Sequence, residues 1–143
     1  MKALDLAGYV IDKGNYLNNF KLNKILYLLH CYYMMKTGKE LIDEDFEAWS
    51  IGPVIPEVFE EYSIYAGAPI TSFYEIEYSI DPQIEEVIRK LARNLTYVKP
   101  WDINNMTMFD GSAWSKAYEK GKRNRIYPSL IREDIEKTRK EKE

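Results

Sequence analysis

The sequence contains very few of the residues from which catalytic and metal sites are built. Its 143 residues include one cysteine and one histidine, Cys31 and His30. A single cysteine excludes an intrachain disulfide and favours a reducing compartment. Adjacent residues on a helix point about 100° apart, so this pair cannot share a zinc ion or act as a Cys–His catalytic pair. We therefore expect His30 to be a core or interface residue, and we expect no catalytic site, metal or cofactor.

Long apolar runs and phosphate-binding loops are also missing. The most apolar stretch, Ile25–Met35, is 11 residues long, whereas a membrane span needs about 20. The first residues lack the pattern of a secretory signal, and the sequence contains neither a P-loop nor a dinucleotide-binding glycine motif. These absences predict a cytoplasmic protein without a membrane partner.

Positive charge is absent from the middle of the chain. Residues 40–88 carry thirteen acidic side chains and no lysine or arginine. Residues 1–39 have a net charge of +4 and residues 89–143 a net charge of +6, which leaves −3 for the whole chain. This segregation predicts that the middle either folds against the two ends or presents an acidic face to a basic partner.

The hydrophobic pattern predicts a mainly α single domain over residues 1–143, with a tail at 136–143 that frays. Lys21–Thr37 is apolar nearly all round and is followed by Gly38, which predicts a central helix that is buried on most sides. Apolar residues at helical spacing predict further helices at 2–13, Pro56–Ala66, 82–95, 101–109, 112–120 and from Leu130 onward.

Two short segments alternate between apolar and polar residues in the manner of strands. Phe46–Ser50 and Phe73–Tyr78 are expected to form a small two-stranded antiparallel hairpin. Ile51–Pro56 contains a glycine and two prolines and is interpreted as a turn, with Pro56 starting the next helix. Asp81 is expected to cap the helix that begins at residue 82.

Four motifs in the first half carry a family resemblance. They are the helix-opening string Leu22–Tyr27 (LNKILY), the Glu47-Ala48-Trp49 block, the Gly52-Pro53-Val54 block and the helix start Pro56–Phe59. Together they resemble the Panacea antitoxin domain of SocA-like and GepA-like phage-associated proteins, over about residues 3–135. Met108 stands where that family has a histidine.

The resemblance implies a mostly helical domain with a small β-hairpin and no known catalysis. It also implies an antitoxin role in toxin–antitoxin pairs, in which members neutralise toxins by direct binding and at least one delivers its toxin to a protease. The expected partners are a basic protein toxin encoded nearby and, for an adaptor, a protease complex. A homo-oligomer is compatible with the sequence.

Acidic and aromatic residues of the middle segment form the candidate partner-binding site. Tyrosine and tryptophan are frequent anchors of protein interfaces, and surrounding carboxylates would attract a basic partner. Trp49 is interpreted as either a core residue or such an anchor. The candidate residues are Asp43, Glu44, Asp45, Glu47, Trp49, Pro53, Glu57, Glu60, Glu61 and Tyr62.

Two alternative functions stay open at this point. Asp43 and Glu47 are a candidate acid pair for a metal-dependent hydrolase that uses residues 43–47. The basic segment 116–125 could bind nucleic acid, although the acidity of the chain opposes this. We expect its basic side chains to neutralise the acidic segment within the fold instead; they are Lys116, Lys120, Lys122, Arg123 and Arg125.

Overall fold

The computed structural model describes residues 1–14, 16–71, 80 and 82–142, and it confirms a mainly helical protein. The helices are α1 (Ala3–Lys13), α2 (Asn19–Thr37), α3 (Pro56–Glu61), α4 (Pro82–Thr96), α5 (Pro100–Thr107), α6 (Ala113–Ala117) and α7 (Pro128–Lys142). The strands are β1 (Phe46–Trp49), β2 (Gly52–Val54) and β3 (Asn124–Ile126). No helix in these ranges is both long and apolar enough to cross a membrane.

The second helix is the centre of the core, as the sequence predicts. It packs against α1, α3, α4, α5, α7 and β2. The side chain of Asn18 accepts a hydrogen bond from the Lys21 N–H at 2.9 Å and caps its first turn. Gly38 ends the helix with φ +72°, a left-handed conformation that glycine adopts without strain. The fully buried side chains of α2 include Leu22, Ile25, Leu26 and Leu29.

His30 is a buried core residue of this helix. Its Nδ1 accepts a hydrogen bond from the backbone N–H of Ile42 at 3.1 Å. Burial, together with the nearby N-terminal ammonium and Arg132, lowers the pKa of His30 from 6.5 to about 4. The imidazole is therefore neutral at pH 7. Its burial confirms the expectation that His30 is a core or interface residue and places it in the core.

Within the described residues the sheet has three antiparallel strands, in the order β2-β1-β3, instead of the expected two. The segment interpreted as a turn contains β2, in which Pro53 is tolerated because β2 lies at the edge of the sheet. The third strand lies at the end of the basic segment, where no strand was predicted. Residues 73–78, the expected partner of β1, and Asp81, the expected cap, lie outside the described residues.

The third helix is shorter than predicted. It ends at Glu61, and a single 3-10 turn at Ser63–Tyr65 takes the place of its expected last part. Ala66 follows with φ +49°, a conformation that stops a helix.

The last helix, α7, continues to Lys142 through the segment expected to fray.

Two buried asparagines of α2 fix the position of α3. The Asn23 side chain accepts a hydrogen bond from the Ile55 N–H at 3.0 Å, at the start of α3. Asn19 donates its Nδ2 hydrogen to the Phe59 carbonyl at 2.8 Å. Because a buried amide without a partner costs about 1–3 kcal/mol, these bonds specify one placement of α3 on the central helix.

Candidate functional site

A surface groove of about 520 Å³ opens where the end of β1 meets α3. We call it the Trp49 groove. Its lining combines aromatic, acidic and basic side chains that come from β1, from α3 and the 3-10 turn after it, and from the loop before β3. The lining residues are Glu47, Trp49, Pro56, Phe59, Glu60, Ser63 and Arg123.

A pair of half-buried aromatic rings forms the apolar part of this groove. The rings of Trp49 and Phe59 meet edge to face with centroids 5.1 Å apart, and Phe20 packs behind Phe59 at 5.9 Å. The Trp49 indole N–H donates to Glu47 Oε1 at 2.9 Å. The backbone carbonyl of Trp49 accepts from the Trp114 indole at 2.8 Å. Trp49 is therefore held rigidly while part of its ring stays accessible.

Carboxylates surround this aromatic pair. Glu47 and Glu60 line the groove, and Glu57 and Glu61 are exposed on the same short helix. Glu57 lies in the first turn of α3, where the helix dipole favours negative charge. Arg123 opposes them, because its guanidinium lies 3.8 Å from the centre of the Trp49 ring. The groove and α3 together therefore present an excess of negative charge.

The first three acidic candidates have other partners within the fold. Asp43 accepts from the ammonium of Met1 at 3.2 Å, and Glu44 accepts from the Ala3 N–H at 3.0 Å. Asp45 forms an ion pair with Arg125 at 2.9 Å, which joins the start of β1 to β3. These three carboxylates hold the chain start and the sheet together, and none of them lines the Trp49 groove.

Two further candidates lie below the surface. Pro53 is buried in β2, and Tyr62 is only 5% exposed at the end of α3. Their side chains are buried in this structure, and their role as contact residues stays a prediction.

The structure gives little support to the two alternative functions. In the described ranges, no three His, Cys, Asp or Glu side chains lie close enough to hold a metal ion. In the basic segment, Arg125 pairs with the acidic stretch as expected. Lys116 and Lys122 pair instead with acids of the C-terminal third, at 3.0 and 2.9 Å. Much of the charge proposed for phosphate binding is thus neutralised locally.

Four groove residues were absent from the candidate site: Pro56, Phe59, Ser63 and Arg123. The spacing of Pro56 and Phe59, three residues apart on one helix face, could have identified Phe59. Arg123 has no local signal, because it reaches Trp49 only through the pairing of β1 with β3, in which Ala48 lies opposite Asn124. It had been counted only as part of the basic segment.

Comparisons with known proteins identify the family of this chain. Residues 22–136 match the family described as antitoxin SocA-like, Panacea domain. The antitoxin SocA of Caulobacter vibrioides (strain NA1000 / CB15N) is 36% identical over 65 residues, which are 43% of this chain and 35% of that relative. The chain thus matches about a third of the relative's length, and no solved structure matches it. The family match covers most of this chain, and the chain therefore belongs to the Panacea domain family of SocA-like antitoxins.

Proposed function

We propose that this chain is a non-enzymatic antitoxin that binds a basic protein toxin directly through the Trp49 groove and the exposed carboxylates of α3. The observation that carries the proposal is the rigid Trp49–Phe59 pair with carboxylates on both sides. Family membership supports the antitoxin role, and the groove is the described surface that best combines apolar anchors with negative charge.

The chemistry of the groove suits a protein partner. Aromatic side chains contribute a large share of the binding energy at protein interfaces when neighbouring contacts exclude water from them. Unpaired carboxylates at the rim accelerate the encounter with a basic protein and disfavour acidic ones. The expected partner is therefore a basic toxin, encoded close to this chain, that covers Trp49 and contacts Glu57 and Glu60.

Removal of the aromatic anchor tests this site. We expect Trp49→Ala to weaken toxin binding by about 10- to 100-fold, because a central tryptophan typically contributes about 2 kcal/mol or more. Isothermal titration of the purified chain with the basic protein of the neighbouring reading frame measures the loss. Binding by the unmodified chain should also weaken as the salt concentration rises.

Trp101→Ala is the matched control for this experiment. Trp101 is 73% exposed on α5, so its removal deletes the same type of side chain outside the groove. It should leave the affinity unchanged, and thermal melts should show that both variants fold. Weaker binding in the Trp101 variant with normal binding in the Trp49 variant would show that the toxin uses another face.

Steric blockade and delivery to a protease complex both begin with this contact. The half-life of the toxin in cells separates them, because an adaptor shortens it and a simple blocking protein does not.

A further inference from the structure

The side chain of Arg123 lies against the indole of the Trp49 groove. Its guanidinium stacks over the Trp49 ring with 3.8 Å between the guanidinium carbon and the ring centre. Stacking on an aromatic face is a preferred mode of arginine, whose planar cation is less strongly hydrated than the ammonium of lysine. The groove therefore already holds one arginine side chain of the chain itself.

Because Arg123 stacks on Trp49, it does not pair with a carboxylate of the groove. Within the described part of the chain, Arg123 makes no ion pair, although Glu47 and Glu60 line the same groove. Glu47 accepts a hydrogen bond from the Trp49 indole through one oxygen, which leaves its second oxygen available. A guanidinium that reached further into the groove could both stack on the ring and pair with a carboxylate.

We propose that the Trp49 groove is a binding site for an arginine side chain of the partner protein, and that Arg123 occupies part of this site in the free chain. The proposal rests on the proposed function and adds the identity of the anchoring residue. The incoming arginine displaces Arg123 from the indole face and pairs with Glu47 and Glu60. Arg123 is thus a competitor that the partner must move.

Lysine is a poorer occupant for geometric reasons. Its ammonium is a compact, strongly hydrated charge that cannot stack a flat face on Trp49 and donate a two-pronged hydrogen bond to a carboxylate at once. The groove should therefore discriminate arginine from lysine, whereas a rim of carboxylates alone would attract both through charge.

A peptide titration tests the proposal on the free chain without the toxin. The probes are acetyl-Gly-Arg-Gly-amide and its lysine analogue at millimolar concentration, and the readout is the indole N–H resonance of Trp49, assigned with Trp49→Phe. We expect the arginine peptide to shift this resonance with at least about threefold higher affinity than the lysine peptide. The Trp101 indole resonance should not move.

Removal of the competing Arg123 side chain makes the peptide titration more discriminating. Arg123→Ala should increase the affinity for the arginine peptide by about three- to tenfold, because the indole face becomes free and a like charge is removed. Lys120→Ala is the matched control, since it removes one charge from the same exposed loop outside the groove and should change nothing. Equal affinities for the two peptides, or an Arg123 variant that binds no more tightly, would overturn the proposal.

The two proposals fail in different ways. If Trp49→Ala weakens toxin binding but the groove does not prefer the arginine peptide, the toxin uses the groove with a different anchor. If the arginine peptide binds as expected but Trp49→Ala binds the toxin normally, the groove recognises arginine and the proposed toxin interface is wrong.

Discussion

A triple charge reversal on α3, with Glu57→Lys, Glu60→Lys and Glu61→Lys, is expected to weaken toxin binding by about 1000-fold while the domain stays folded. The three carboxylates are exposed on one short helix beside the Trp49 groove. Their replacement changes the local charge by six units and sets lysines against a basic partner. Like charges brought together at an interface cost several kcal/mol in binding free energy. Titration calorimetry at physiological salt measures the loss.

Folding should tolerate these changes because none of the three side chains is buried. Glu57→Lys places a cation in the first turn of α3, which costs about 0.5 kcal/mol through the helix dipole. The matched control reverses three exposed acids elsewhere, in the variant Asp110→Lys, Glu136→Lys, Glu141→Lys. If the control binds as weakly as the α3 variant, net charge alone governs affinity and the assigned face is wrong.

The stability of the protein is expected to fall between pH 6.5 and about 4 because of His30. Its pKa is lowered from 6.5 to about 4 in the folded protein, first by burial and then by the N-terminal ammonium and Arg132. In this interval the unfolded chain binds a proton at His30 and the folded chain does not, so acid favours unfolding. The full stabilisation is present above pH 6.5, and its loss amounts to about 3 kcal/mol at the acid end.

An asparagine replacement isolates this contribution. The side-chain carbonyl of His30→Asn can accept the hydrogen bond from the Ile42 N–H, and the variant has no titratable group at this position. Urea unfolding from pH 7.5 to 4 should show a shallower decline for the variant, and subtraction of the two curves removes the contribution of carboxylates. Parallel curves would show that His30 carries no pKa shift.

Features that depend on local sequence could be predicted. The apolar character of Lys21–Thr37 predicted its burial, and Gly38 marked its end, because helix burial and helix termination are set by neighbouring residues. His30 was expected to be a core or interface residue, because it lies in the most apolar stretch and lacks a zinc-binding or catalytic partner. Strands β2 and β3 were not predicted. Each has only three residues, which are too few to show an alternating pattern, and each forms by pairing with β1.

The site was only partly predictable for the same physical reason. Glu47, Trp49 and Glu60 were identified by their chemistry, and the structure brings them into one groove. Asp43 and Asp45 looked equally suitable, but their partners are the N-terminal ammonium and Arg125, which are far away in sequence. Long-range packing decides which carboxylates lie beside Trp49, and composition does not show it.

Hydrogen exchange in the toxin complex is the most direct measurement of the central claim. Binding at the Trp49 groove predicts slower amide exchange at 47–49 and 56–61 in the complex than in the free chain, with little change in α5 and α7. Protection confined to α5 and α7, with unchanged exchange at the groove, would contradict the account.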